Sequence, residues 1–163
     1  MMIRTAEEYD MEALLSIYNY EVLNGVATFD LKPKSMEERM KWFRAHNVDN
    51  HPLLVAEIDG RAVGYASLSE YREKEAYKRT VELSVYVDPE YRRMGVARAL
   101  MEAILEGARS RDDIHMVISV ITEGNEASIR LHEEFGFIHC GTMKEVGEKF
   151  GKLLDIDNFQ LMV

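Results

Sequence analysis

With 163 residues, 47% of them hydrophobic and 30% charged, the chain is long enough to bury a sizeable core and has an ordinary globular composition. Its 29 acidic against 20 basic side chains leave a formal charge of −9, which argues against a nucleic-acid partner, and a lone cysteine, Cys140, excludes an internal disulfide or a cysteine-based metal cluster. No apolar run reaches the ~18 residues of a membrane span and no basic-then-apolar leader opens the chain, so the expectation is one cytoplasmic domain over residues 1–163, with no membrane association and no metal.

Residues 1–4 suit a short first strand. Thr5 with Glu8 fits a capping box for a helix whose apolar stripe is Ala13, Leu14, Ile17 and Tyr18, and Asn24-Gly25 stops it. Residues 26–32 read as a loop or a short extended piece. Ser35 and Glu38 repeat the capping pattern ahead of a second helix running through Trp42 and Phe43 to Ala45. Two apolar runs, 53–58 and 61–68, are joined by Asp59-Gly60, a strong hairpin signal. Residues 70–79 are charged, with Tyr71 and Tyr77 interleaved. They are either a solvated loop or a lip where Arg72 or Lys74 meets a substrate carboxylate.

Residues 80–87 form a strand that Pro89 closes, and apolar positions from Val96 through Ala99, Leu100, Ala103 and Ile104 recur at helical spacing. A buried strand at 115–122, a helix at 126–135 and strands at 137–144 and 154–162 complete the chain. Strands before, between and after helices point to one mixed α/β sheet.

Local chemistry is most specific between residues 80 and 97. A helix start leaves backbone N–H groups unpaired and carries partial positive charge, which suits a phosphate or pyrophosphate. Gly95 allows close approach to the backbone, and Arg92, Arg93 and Arg98 add fixed charge around it. An ordinary strand-loop-helix corner with solvated arginines fits the same residues. No G-K-[ST] follows, so this is not a P-loop, and the G-x-G-x-x-G spacing of dinucleotide sites is absent.

Arg92-Arg93-Met94-Gly95-Val96-Ala97 resembles the R/Q-x-x-G-x-G/A signature of the GCN5-related N-acetyltransferases. Residues 125–137, NEASIRLHEEFGF, are similar to that superfamily's N-x-x-S-x-x-L-Y-x-x-x-G-F segment. Together with Thr80-Val81-Glu82 and the tail from Glu145 to Asp155, they resemble the branch acting on phosphinothricin, methionine sulfone and methionine sulfoximine.

The resemblance implies a twisted mixed sheet with splayed central strands, acetyl-CoA as cosubstrate and direct acetyl transfer to the amine of a small amino-acid-like acceptor. Backbone of Val85, Tyr86 and Val87 would pair with the pantetheine arm, and amides of Arg93, Met94, Gly95, Val96, Ala97 and Arg98 would surround the pyrophosphate. Asn125 would hydrogen-bond the pantetheine or thioester end, with Ser128 of the same segment also on the cofactor. Asn125 is equally well placed to N-cap the helix it precedes.

The implied reaction needs a base to free the amine and a group to serve the departing thiolate. Glu82 is the candidate base. It shares a strand face with Ser84 and Tyr86, and desolvation would raise its pKa; a pairing with Lys78 or Arg79 is the ordinary alternative. His132 stands where most of the superfamily has tyrosine and would act as acid, as relay to Glu82 or as second base; a satisfied, partly buried histidine is the other reading.

Arg72, Glu73, Lys74, Glu82, Leu83 and Ser84 would line the acceptor pocket by the same resemblance. Phe29, Lys149 and Phe150 would close it, from a partner subunit if the chain is a homodimer as relatives of this branch are. Arg72 or Lys149 would meet an α-carboxylate. Acetylation of a protein N-terminus or lysine is a competing function, and a non-catalytic acyl-CoA-binding module is another.

Overall fold

Asp59 and Gly60 both take left-handed backbone conformations (φ 51° and 78°), as a tight two-residue hairpin requires. Across this turn β2 (Leu53–Ile58) pairs antiparallel with β3 (Arg61–Glu70). The computed structural model, which describes residues 1–163, builds outward from that hairpin. The sheet has seven strands in the order β1-β2-β3-β4-β5-β7-β6, with β1 at Met2–Thr5, β4 at Thr80–Val87, β5 at Met116–Thr122, β6 at Ile138–Lys149 and β7 at Lys152–Met162. Helices α1 (Met11–Asn24), α2 (Met36–Arg44), α3 (Val96–Arg109) and α4 (Glu126–Glu134) flank it. None is long and apolar enough to cross a membrane.

Two expectations about boundaries change. Thr5 does not cap a helix, because it is taken up in β1 opposite Leu54. A single 3-10 turn at Glu8–Asp10 intervenes, and there the Asp10 carboxylate accepts from the Glu7 amide at 2.8 Å while Arg4 holds it from β1. The strand expected at 137–144 runs on to Lys149, because Phe150 and Gly151 (φ 53° and 70°) fold it straight back into β7. The Ser35–Glu38 capping box forms as read, with the Ser35 hydroxyl accepting from the Glu38 amide.

The sheet buries both faces. On one, Val96, Leu100, Met101, Ile104 and Leu105 of α3 pack against Val63, Leu68, Val81, Leu83 and Val117. Gly64 allows that helix in: a Cβ there would lie 3.0 Å from both the Tyr86 carbonyl and a Val96 methyl. On the other face Met11, Leu14 and Ile17 of α1 cover Leu53, Val55 and Tyr65. Arg39 of α2 lies buried in that layer, 3.5 Å from the Trp42 ring centre and 4.3 Å from that of Tyr18, and donates to the Tyr65 hydroxyl at 2.6 Å.

β4 and β5 are the parallel pair at the centre, and they share only Thr80↔Met116, Val81↔Val117 and Glu82↔Ile118. Beyond Glu82 each strand follows its other neighbour. β4 stays with β3 as far as Val87↔Gly64, and β5 stays with β7 as far as Thr122↔Ile156. The sheet therefore opens, as expected from the resemblance, and the opening positions the site.

Leu100 is fully buried between α3 and the sheet, so Leu100→Ala leaves a cavity in the larger core. The expected loss is about 2–5 kcal/mol in urea unfolding, with an unchanged denaturant slope.

Candidate active site

Two contiguous cavities fill the opening between β4 and β5. The larger, about 920 Å³, runs past Val85, Tyr86 and Val87 to the start of α3; the smaller, about 280 Å³, lies deeper, beside Glu82, Ser84 and Ser119. They share Ala27, Val85, Tyr86, Asn125, Ser128 and His132. From Leu83 to Val87, β4 has no strand partner on its β5 side, so its edge is open to an extended ligand.

At the far end of the larger cavity, Gly95 (φ 79°) starts α3 without a side-chain cap, and Arg93 is also left-handed (φ 62°). No backbone N–H from Arg92 through Arg98 donates to any group in the chain; the first in this stretch that does is Ala99, to the Gly95 carbonyl. The first turn of α3 contains no acidic residue. A run of free amides at a helix start, with arginines beside it, is chemically suited to a pyrophosphate. Arg92 is held by Glu21 at 3.1 Å and Arg98 by Glu134, whereas Arg93 makes no ion pair. Met94 is exposed and lines neither cavity.

In the inner cavity, strand alternation turns Val81 and Leu83 toward α3 and leaves Glu82, Ser84 and Tyr86 on the opposite side. Glu82 makes no ion pair with Lys78, Arg79 or any other group. Burial alone holds its carboxyl above the ordinary carboxylate range. His132, on α4, is 6% exposed, and burial pushes its imidazole below the usual value against a smaller opposing effect of the Ser128 carbonyl. No hydrogen bond joins His132 to Glu82. Asn125 caps α4 by accepting from the Ser128 amide at 3.3 Å, and it lines both cavities.

Arg72, Glu73 and Lys74 line neither cavity. They are exposed, and the Arg72 guanidinium lies over the rings of Tyr71 and Tyr77 at 5.0 and 5.7 Å. Lys149 also lines neither cavity. It is 2% exposed, and its Nζ donates to the Thr28 carbonyl at 2.8 Å. Phe150 is exposed at the β6–β7 turn. Of that trio only Phe29 lines the inner cavity, and it does so from the same chain, its ring seated where a Cβ on Gly147 would collide at 2.1 Å.

Thr28 and Ser119 also form the inner wall, and both lie outside the sequence motifs. Thr28 is fastened by Lys149 and by the Tyr18 hydroxyl at 2.9 Å, a hydroxyl that also donates to Asp30 and whose pKa rises to about 12 through burial. Ser119 left one usable signal: it is a polar residue at an inward position of the otherwise apolar run MVISVI.

Residues 14–137 match the profile of the acetyltransferase (GNAT) family. An L-methionine sulfoximine/L-methionine sulfone acetyltransferase of Salmonella typhimurium is 37% identical over 163 residues, covering 100% of this chain and 95% of the relative. A ribosomal-protein-alanine N-acetyltransferase from Brucella melitensis superposes with a TM-score of 0.96 at 43% identity over 100% of both chains. A phosphinothricin acetyltransferase from Sinorhizobium meliloti, solved in complex with AcCoA, superposes with a TM-score of 0.95 at 34% identity, covering 99% of this chain and 88% of that one.

The raised carboxyl of Glu82 has a consequence for stability. The folded chain holds the Glu82 proton to higher pH than the unfolded chain does, so stability falls as pH rises from the unfolded value through the folded one and stays reduced above it. Glu82→Gln removes this penalty. The variant should melt above the wild type at pH 7.5, with the gap closing below the ordinary glutamate value of 4.5; thermal unfolding at the two pH values checks it.

Proposed function

This chain belongs to the GNAT acetyltransferase family and is an acetyl-CoA-dependent N-acyltransferase, and from that premise we propose that its acceptor is the amine of a small amino-acid-like molecule of the methionine sulfone, methionine sulfoximine or phosphinothricin type. The observation that carries the reading is the meeting of two features in one cleft: a run of free amides suited to a diphosphate, and a buried, unpaired carboxylate at the other end. When bound, acetyl-CoA supplies the activated acyl group. Amides from Arg93 to Arg98 hold its diphosphate, the open edge at Val85–Val87 aligns its arm, and Asn125 and Ser128 border the thioester end.

Glu82 then works as the base. An acceptor amine arrives protonated, and a carboxylate whose burial lifts its pKa is better matched to take that proton, directly or through a water. Leu83, Ser84, Thr28 and Phe29 shape the acceptor side. Arg72, Glu73 and Lys74 form its outer rim in this proposal. Ser69 pairs opposite Glu82 in β3, so the loop that carries them begins close by. Self-association through the outer ribbon belongs to the same reading, since Ile138, Met143, Val146, Phe150 and Leu153 are exposed on β6, β7 and their turn.

A second reading, acetylation of a protein's N-terminal alanine, is favoured by what the Brucella relative is called. The inner cavity of about 280 Å³ fits a small molecule better than a polypeptide end. Acetyl-CoA consumption measured with free amino acids, methionine sulfone, methionine sulfoximine, phosphinothricin and an alanine-initiated peptide separates the two. Turnover of the sulfone or sulfoximine is expected, and turnover of the peptide alone would overturn the proposal.

Glu82→Gln should lower kcat about 100- to 10,000-fold with unchanged acetyl-CoA affinity; wild-type turnover would end the base assignment. Arg72→Ala should raise the acceptor KM well beyond any change in the acetyl-CoA KM, as steady-state kinetics with each substrate varied in turn will read.

A further inference from the structure

His132 faces the cleft with both ring nitrogens already committed. Nδ1 lies 2.7 Å from the Ser128 carbonyl, and a carbonyl only accepts, so Nδ1 carries the proton. The neutral ring then has its lone pair at Nε2, which lies 2.9 Å from Ser119 Oγ. The Ser119 hydroxyl must therefore be the donor in that contact. Ser119 is 2% exposed and lines the inner cavity, and its oxygen, polarised by the bond to the ring, still has lone pairs with which to accept. The ring has no charged neighbour that would disturb this tautomer: Phe137 packs at 4.9 Å and Phe159 at 6.2 Å between ring centres, and Ser119 and Ser128 hold the nitrogens.

We infer that Ser119 is a further catalytic residue, the relay through which protons pass between the cleft and His132, with His132 serving as the proton store behind it. The inference rests on the acyltransferase reading above. An ammonium acceptor must lose two protons to become an amide nitrogen, while the departing sulfur gains one. Glu82 takes one proton and releases it to solvent. Ser119 Oγ takes the other: the acceptor N–H bond breaks, a bond to Oγ forms, and the original Ser119 proton moves to Nε2. His132 is then an imidazolium whose Nδ1–H still donates to the Ser128 carbonyl. As the C–S bond breaks and its electron pair stays on sulfur, Ser119 hands a proton to the sulfur and recovers one from Nε2. No other reagent is consumed, and both side chains return to their starting state.

The test combines the ligand-free protein with kinetics. Nitrogen-15 NMR of the imidazoles at neutral pH should give His132 as the Nδ1–H tautomer, and Ser119→Ala should shift its Nε2 resonance toward that of an unbonded ring nitrogen. Ser119→Ala should lower kcat about 100-fold with little change in either KM. His132→Asn and the double variant should lose no more than Ser119→Ala alone, because the pair acts as one unit. An Nε2–H tautomer, a wild-type kcat in Ser119→Ala, or losses that multiply in the double variant would each overturn the relay while leaving the acyltransferase reading intact. A wild-type protein that transfers no acyl group to any acceptor would remove that reading and the relay with it.

Discussion

Two central strands that pair for three residues and then part create nearly everything useful in this molecule. Beyond Glu82, β4 keeps its register with β3 as far as Val87, β5 stays bound along its whole length to β7, and the two halves of the sheet diverge. An interior sheet edge is normally closed, since unpaired backbone groups away from water are costly. Here the core on both faces, anchored by α3 on one side and α1 on the other, holds the edge open. An extended ligand is chemically suited to such an edge, and acetyl-CoA is the family's cosubstrate.

The same economy governs the start of α3. An acidic protein of net charge −9 does not attract polyanions in general. The start of α3 differs locally, because amides from Arg92 to Arg98 have no partner within the chain and the first helical turn carries no carboxylate. The nearby acids are not idle: Glu21 and Glu134 hold Arg92 and Arg98 in place along the groove. Left-handed backbone at Arg93 and Gly95 makes the turn, and at Arg93 this is a conformation that few non-glycine residues adopt.

Deeper in, burial works on two groups in opposite directions. It lifts the Glu82 carboxyl and lowers the His132 imidazole, so an acid and a base are drawn toward one another in proton affinity within a single cavity. Glu82 is a local cost to the fold, left unpaired where an ion pair would have been cheaper. The fold carries it because rigid walls surround it, among them a loop fixed at Thr28 by the buried Lys149 and by Tyr18.

Sequence by itself determined the parts of this protein whose physics is local. The Asp59-Gly60 hairpin, the Ser35–Glu38 cap, the helix start at Gly95 and the alternation that sets Glu82 beside Ser84 and Tyr86 each depend on neighbours within a few residues, and all are present. The tertiary structure decided what depends on contacts between distant segments. It took Thr5 into a strand, turned Lys149 inward to the Thr28 carbonyl 121 residues away, left Arg72 stacked on tyrosines outside the cavities, and brought Ser119 within 2.9 Å of His132. A buried side chain points wherever its hydrogen bond and packing are satisfied, and the partner that satisfies it lies on another element, beyond the reach of any local pattern.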